Sequence, residues 1–252
     1  MIVYEQPLNE ITRILLKIEY LLQMCEHHLK HSESWDSHTL LIAICDILNL
    51  LDRPDLRSKL TKEIQRYLTT LRRLQHSPDI NKSKLEQLLT RLDACWQNLL
   101  SGNGRLAQGL RDDDFLNGIR QHLKNPAGTC SFDIPIYHLW CEQPTTFRMN
   151  MVETWYRRLD NIKELIYLVL DLIRDSGHFK KSTAKSGVFQ MTMDPFLPCQ
   201  LIRVSLPSDK LIFPEISAGR HRLCIYFMVA DFASRPTQSS ETWEFNLALC
   251  VI

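Results

Sequence analysis

The sequence lacks the short motifs that identify the common enzyme classes. It has only 8 glycines, and the single Gly-x-Gly, at Gly102-Asn103-Gly104, is followed by no Lys-Ser/Thr and follows no strand pattern. A phosphate-binding loop needs both, so we interpret residues 102–104 as a turn. A Gly-x-Ser-x-Gly nucleophile elbow is also missing. Cys130, His138 and Cys141 are close in sequence, but nucleophilic catalysis requires closeness in space. We predict that the protein is not an enzyme; an enzyme with an unrecognised site is a further alternative.

Metal-binding patterns are scarce despite 8 cysteines and 9 histidines. No two cysteines are spaced as Cys-x-x-Cys, the close pairing that structural zinc sites favour. The group Cys25, His27, His28 and His31 lacks the glutamate of a His-Glu-x-x-His motif. The carboxylates of Asp112–Asp114 suit the start of a helix better than a metal. We therefore expect no metal and no cofactor, and we interpret the cysteines as buried free thiols in a reducing compartment.

Long apolar runs and an excess of one charge are missing as well. The most apolar stretch, Leu165–Ile173, contains Asp171 and is far shorter than the roughly 20 residues of a membrane-spanning helix. Residues 1–10 include Glu5 and Pro7 and do not have the pattern of a signal peptide. Lys+Arg 30 against Asp+Glu 29 gives a net charge of +1, which argues against a globally basic nucleic-acid binder. We expect a cytoplasmic protein.

What the sequence does contain is a series of apolar stripes with helical spacing. Apolar residues three and four positions apart predict helices within residues 11–29, 40–51, 56–74, 85–99, 115–123, 147–159 and 162–173. Asn9 is placed to cap the first helix, and Ser83 with Glu86 has the spacing of a capping box. Pro54 and Ser77-Pro78-Asp79 separate helices.

After Gly177 the apolar pattern changes to a period of two. Alternation over residues 201–206, 222–227 and 243–249 predicts strands. The prolines near these runs are interpreted as turn residues: Pro195, Pro198, Pro207, Pro214 and Pro236. The sequence thus predicts an α+β fold, with an N-terminal multi-helix domain at 1–180 followed by a smaller, mostly antiparallel β domain at 181–252.

Basic residues cluster in three places although the whole chain is nearly neutral. Residues 53–91 carry ten Lys and Arg (53, 57, 59, 62, 66, 72, 73, 82, 84 and 91) against four acids (55, 63, 79 and 86). A charged helix face that is only solvated explains this cluster as well as a binding surface does. The second cluster extends from Arg174 to Lys185, and the third is Arg220-His221-Arg222. Because these two lie at a predicted helix end and strand start, they indicate a groove for an acidic peptide or a nucleic-acid backbone.

Several blocks of the sequence resemble the ZapD family, in the family's order along the whole chain. They are Tyr4-Glu-Gln-Pro-Leu-Asn-Glu10, Lys17-Ile-Glu-Tyr20, Cys130-Ser-Phe-Asp-Ile-Pro135 with His138-Leu-Trp140, Val152-Glu-Thr-Trp155, Val169-Leu-Asp-Leu-Ile-Arg174 and Pro214-Glu-Ile-Ser217. The resemblance implies a helical domain plus a β domain, a homodimer, and binding to the C-terminal tail of FtsZ, which carries acidic and apolar residues. A divalent dimer would crosslink FtsZ filaments and stabilise the Z-ring at mid-cell.

The resemblance also implies which basic residues bind the tail. The matching positions are Lys17, Arg53, Arg57, Arg105, Arg111, Arg120, His138, Arg174, Lys181 and Arg222. Lys180 and Arg220 join the candidates because they lie in the same basic clusters. Four residues after Arg222, where the family is expected to have a second basic residue, this chain has Tyr226. No membrane partner is expected. The alternative is a nucleic-acid-binding protein that uses the basic 53–91 region, although no nucleic-acid-binding motif is present.

Overall fold

The computed structural model describes residues 1–31, 33–75, 81–101 and 105–252. The elements of these residues are β1 (Ile2–Pro7), α1 (Glu10–His28), α2 (Ser34–Leu51), α3 (Leu56–Leu74), α4 (Lys82–Ser101), α5 (Gln108–Arg111), α6 (Asp114–His122), α7 (Pro135–Cys141), α8 (Thr145–Arg157), α9 (Asp160–Asp175), β2 (Lys180–Ala184), β3 (Val188–Thr192), β4 (Cys199–Leu206), β5 (Ile212–Ala218), β6 (Arg222–Val229), β7 (Thr237–Gln238) and β8 (Trp243–Val251). The predicted α+β fold is confirmed. The turns predicted at 77–79 and 102–104 lie outside the described residues.

The chain forms two compact units. The first, which we call the β unit, consists of Met1–Arg13 and Leu170–Ile252, and the second, the helical unit, consists of Ile14–Val169. Separate domains at 1–180 and 181–252 stay a prediction. Within the described residues, every helix falls short of the length and apolar character that crossing a bilayer requires.

Two helices start where the sequence predicts, each with a capping side chain. The Asn9 side chain, just before α1, accepts the backbone N–H of Thr12 at 2.7 Å. The Asp113 side chain caps α6 by accepting the backbone N–H of Leu116 at 3.1 Å. Both side chains satisfy N–H groups that have no partner within the helix.

The capping box predicted for α4 is wrong. The helix begins at Lys82, so Ser83 and Glu86 already lie inside it. The cap is Asn81, whose side-chain oxygen accepts the backbone N–H of Lys84 at 3.1 Å. Asparagine is one of the best residues at this position, which explains why the helix starts earlier than the Ser-x-x-Glu pattern indicates.

Apolar stripes hold the helical unit together. The α2 helix is the most enclosed, with Leu40, Leu41, Ile44, Ile47 and Leu48 all at 0% exposure, and it packs on α6 and α8. The α3 and α4 helices pack on each other. Their buried residues are Leu56, Leu60, Ile64, Tyr67, Leu68 and Leu71 from α3, and Leu85, Leu89, Leu92, Cys95 and Leu99 from α4.

The β unit is built from two antiparallel sheets that share one apolar core. The strand order is β1-β4-β8-β2 in the first sheet and β3-β6-β5 in the second, where β7 also pairs with β6. Val204, Ile225 and Leu247 belong to the common core. The rings of Phe227 in β6 and Phe245 in β8 lie 4.9 Å apart, so the inner faces of the two sheets touch.

Two features of the sheets differ from the sequence interpretation. The short N-terminal strand β1, which no alternation revealed, pairs with β4 from Ile2↔Leu206 to Pro7↔Leu201. The interpretation of Pro214 as a turn residue is wrong, because Pro214 lies inside β5 and opposite Phe227. Among the described strands, β5 is at the edge of its sheet, where a residue without an N–H donor is tolerated.

Candidate functional site

Three of the candidate arginines converge on one carboxylate in the helical unit. The guanidinium groups of Arg111 and Arg120 contact the carboxylate of Asp52, and Nη1 of Arg105 lies 3.7 Å from its Oδ1. Three positive charges around one negative charge leave an excess of two positive charges at this site. We call these four residues the Asp52 cluster.

The Asp52 cluster combines fixed and exposed arginines. The side chains of Arg111 and Arg120 are only 8% and 13% exposed, whereas that of Arg105 is 70% exposed. Nη2 of Arg120 also donates to Asn49 Oδ1 at 2.8 Å, and Nε of Arg111 donates to a backbone carbonyl at 2.7 Å. Burial, together with the nearby Arg120 charge, lowers the pKa of Arg111. Arg111 and Arg120 are therefore held as part of the fold, and Arg105 is the member that solvent reaches.

The other candidates of the helical unit have exposed side chains: Lys17 on α1, Arg53 before α3, and His138 on α7. His138 lines a cavity of about 190 Å³ together with Trp35, Tyr137 and others. In the part of the chain that the structure describes, no hydrogen bond or ion pair joins Lys17 or His138 to the Asp52 cluster.

Ion pairs neutralise part of the basic 53–91 region. Four of its basic side chains pair with acids: Lys59 with Asp55, Arg66 with Glu63, Arg72 with Asp93, and Arg91 with Glu164. Arg57 donates to the backbone carbonyl of Leu99. This is the pattern of a solvated, ion-paired helix face, and it does not favour the nucleic-acid alternative.

In the β unit, Arg174 is bound by Glu5. Nε and Nη2 of Arg174 donate to Oε1 and Oε2 of Glu5 at 2.9 and 2.8 Å. Arg203, which is opposite Glu5 in the β1–β4 ladder, also places Nε 3.0 Å from Glu5 Oε1. The side chains of Arg174 and Glu5 are 20% and 18% exposed. The positive charge of Arg174 is therefore largely neutralised by an ion pair within the protein.

Lys180 and Lys181 project to opposite faces of the first sheet. Lys180 is opposite Leu247 in β8, whereas Lys181 is opposite Asn246. Paired residues share a face and successive residues alternate. Since Leu247 belongs to the core, Lys180 is on the inner side and Lys181 on the outer side.

Arg220 and Arg222 are exposed at the start of β6. Nη2 of Arg222 donates to the side-chain oxygen of Gln190 on the neighbouring strand β3. Tyr226 lies on the same outer face of the second sheet, opposite Val188. Arg220 lines a separate cavity of about 290 Å³. Among the residues that the structure describes, no carboxylate forms an ion pair with Lys180, Lys181, Arg220 or Arg222.

Sequence reasoning missed a cleft in the β unit. It has a volume of about 430 Å³ and is lined by Ser176, His178, Lys180, Ser182, Phe189, Met191, Leu247 and Leu249. Its floor is apolar, and His178 and Lys180 contribute basic groups. The strands β2 and β3 that border it have only five residues each, which is too short for alternation to be recognised.

His28 and His31 make hydrogen bonds within the protein, and Cys25 is buried. Across residues 1–31, 33–75, 81–101 and 105–252, no three or more His, Cys, Asp or Glu side chains come together as metal ligands would. His28 Nδ1 lies 2.7 Å from Asp36 Oδ1, and His31 Nδ1 lies 3.0 Å from the carbonyl oxygen of His27. Cys25 is fully buried, and burial raises the pKa of its thiol to about 12. All 8 cysteines are free.

Comparison with known proteins identifies relatives along the whole chain. Residues 16–226 match the model of a family described as ZapD, cell division protein. The chain is similar to the Cell division protein ZapD of Coxiella burnetii (strain RSA 493 / Nine Mile phase I), with 38% identity over 253 residues, covering 100% of this chain and 98% of that protein. It is also 34% identical to the protein of that name from Methylococcus capsulatus over 251 residues, covering 100% and 98% of the two chains. The protein of that name from Escherichia coli O7:K1 is 34% identical over 249 residues, covering 99% and 98%.

Proposed function

The chain belongs to the ZapD family of cell division proteins, and from this premise we propose that it binds the C-terminal tail of FtsZ. As a homodimer with one tail site in each chain, it would be divalent, which is the minimum for crosslinking filaments. In this proposal the protein acts in the cytoplasm at the division site, where it bundles FtsZ filaments and stabilises the Z-ring. The mechanism is docking, with no catalytic step.

The observation that carries this proposal is the contrast among the basic residues of the β unit. Arg174 is bound by Glu5, whereas Lys180, Lys181, Arg220 and Arg222 are exposed and have no acidic partner among the described residues. An acidic peptide would supply the missing carboxylates, and the planar guanidinium group suits them with two parallel hydrogen bonds. The tail's apolar residues require an apolar surface nearby, and the β unit has one in the 430 Å³ cleft.

The helical unit adds a second group of candidate contacts to the proposal. The Asp52 cluster keeps more positive than negative charge, and Arg105 is its exposed member. Lys17, Arg53 and His138 are exposed and stay in the proposed set. Arg111 and Arg120 are second choices because each already makes ion pairs within the protein.

The physical chemistry of exposed charges predicts how strongly one tail binds. Ion pairs on a protein surface contribute roughly 0–1 kcal/mol each, so a single tail should bind with modest affinity. A dimer that engages two tails of FtsZ filaments gains avidity of about 10²–10⁴ without any new contact. Bundling is therefore expected to depend on both dimerisation and the tail.

Co-sedimentation with FtsZ filaments tests this function directly. The protein should pellet with full-length FtsZ and bundle it, and it should do neither with FtsZ that lacks the tail. Light scattering should give the mass of a dimer at micromolar concentration. Equal bundling of tail-less FtsZ would contradict tail binding, and a monomeric mass would contradict crosslinking by a divalent particle.

Arg222→Glu provides the residue-level test of the same proposal. The side chain is exposed and donates to the neutral side-chain amide of Gln190, so the variant should fold normally and bundle less. Ser208→Glu is the control for added negative charge, because Ser208 is exposed in the turn before β5, at the end of that strand away from Arg222. Normal bundling by folded Arg222→Glu protein would remove Arg222 from the site.

A further inference from the structure

The cleft of the β unit lies where its two sheets separate. Strands β2 and β3 are joined by a tight turn, in which the two backbone hydrogen bonds between Lys185 and Val188 are 3.1 and 3.0 Å long. Ser186 and Gly187 have φ values of 50° and 69°, as a type I′ turn requires. Away from the turn, β2 pairs with β8 in the first sheet and β3 pairs with β6 in the second. The two strands therefore diverge, and the cleft of about 430 Å³ opens between them.

One wall of the cleft is apolar. It consists of Phe189 and Met191 from β3 and Leu247 and Leu249 from β8. Leu247 belongs to the shared core of the two sheets, and the other three side chains are partly buried against that core. Core side chains thus border an open cavity. An alkyl chain that entered the cleft would remove their remaining apolar surface from water, which is favourable.

The inner face of β2 changes from charged to apolar along the strand. Lys180, Ser182 and Ala184 share this face, because successive strand residues alternate and Lys180 lies opposite the core residue Leu247. Ala184 is fully buried in the core, Ser182 is partly buried, and Lys180 is exposed. Lys180 and Ser182 both line the cleft. The positive charge is therefore at the end of the cleft that solvent reaches.

Protection of a sheet edge is another explanation for Lys180. In the described part of the chain, β2 has only β8 beside it, and an inward-pointing charge discourages an edge strand from pairing with other chains. Edge protection accounts for the lysine but not for the cavity beside it, to which His178 contributes a second basic group. Among the described residues that line the cleft, none is acidic, so an anion would supply the missing counter-charge.

We propose that this cleft binds a single-chain anionic amphiphile of the fatty-acid class. The carboxylate accepts hydrogen bonds at the mouth from Lys180 and His178, and the alkyl chain lies against Phe189 and Met191. The volume of about 430 Å³ is at the small end of the range of about 300–1,000 Å³ that ligand pockets span, which favours one alkyl chain over a two-chain lipid. This inference goes beyond the proposed function and is independent of it, since its test uses only the protein and the amphiphile.

Saturated fatty acids of increasing chain length test the apolar part of the site. Calorimetric titrations use each acid below the concentration at which it forms micelles. Burial of one methylene group contributes about 0.8 kcal/mol, so affinity should rise about fourfold with each added carbon and stop rising once the cleft is full. Ser182→Leu adds volume to the lining of the cleft, and with this variant the rise should stop at a shorter chain.

Two adjacent lysines test the charged part of the site. Lys180→Gln and Lys181→Gln remove the same charge one residue apart, but Lys180 lines the cleft and Lys181 is on the outer face of β2. The probes are a fatty acid and the uncharged alcohol of the same chain length. The natural protein and Lys181→Gln should bind the acid about tenfold more tightly than the alcohol, whereas Lys180→Gln should lose most of this preference. Circular dichroism checks that the variants fold.

Three results would overturn the proposal. Affinity that is independent of chain length, or that rises without a limit, would mean that the amphiphile does not fill the cleft. An equal preference for the acid in the two lysine variants would mean that the carboxylate is not held at the mouth. If the natural protein binds no member of the series at low salt, Lys180 only protects the edge of β2. The proposed binding of FtsZ is unaffected by any of these results.

Discussion

The ion pairs between Glu5, Arg174 and Arg203 allow a quantitative test of how the β unit is held together. The change is Arg174→Gln, which removes the charge and both hydrogen bonds to Glu5. Breaking a fully buried ion pair costs about 3–5 kcal/mol. Here both side chains are about four-fifths buried and Arg203 still neutralises Glu5, so we expect a loss of about 2 kcal/mol in the free energy of unfolding. The exposed control Arg222→Gln should cost less than about 0.5 kcal/mol.

Urea unfolding followed by circular dichroism measures this difference. The midpoint should fall for Arg174→Gln without a change in slope, because a change in slope indicates altered exposure of surface on unfolding. A double-mutant cycle with Glu5→Gln isolates the pair itself, and we expect a coupling of about 1–2 kcal/mol. If Arg174→Gln is as stable as the natural protein, or if the cycle gives no coupling, Arg174 does not contribute to the fold in the way the hydrogen bonds indicate.

Three further predictions concern the core, the Asp52 cluster and the salt dependence of binding. Asp52→Ala leaves Arg111 and Arg120 without their common counter-charge, and we expect it to lower the free energy of unfolding by about 2–4 kcal/mol in urea titrations; an unchanged midpoint would contradict this. The buried thiols of Cys25 and Cys45, whose pKa burial raises to about 12, should resist iodoacetamide at pH 8 in the folded protein and react in urea, as mass spectrometry would show; rapid labelling of the folded protein would refute their burial. Affinity for the FtsZ tail peptide should fall as salt rises while the circular dichroism of the protein stays constant, because screening shortens from about 8 Å at physiological ionic strength to 3 Å at 1 M; an affinity that does not change with salt would mean that apolar contacts carry the recognition.

Some of the local structure followed from residues that are close in the sequence. Asn9 and Asp113 are confirmed as helix caps because each contacts an N–H only three residues away. The three long strands were recognisable because eight or nine residues are enough to show a period of two. The cap of α4 was misassigned because two good capping residues, Asn81 and Ser83, compete within three positions.

The candidate site was less predictable, because a charged side chain's role depends on its neighbours in space. Arg174 and Arg222 look alike in the sequence, yet one is bound by Glu5, 169 positions away, and the other is exposed. Lys180 and Lys181 are adjacent, and only the register with β8 shows that they face opposite sides.

The sequence by itself therefore determined the α+β class, the helices other than α5 and α7, the long strands and the family resemblance, since periodicity and motifs are properties of nearby residues. Tertiary structure alone decided that the N-terminal strand β1 completes the first sheet, that three arginines share Asp52, and that β2 and β3 border an open cleft. Each of these depends on contacts between segments far apart in the chain. Strand pairing and electrostatic neutralisation act through distances of a few ångströms, and sequence spacing does not encode those distances.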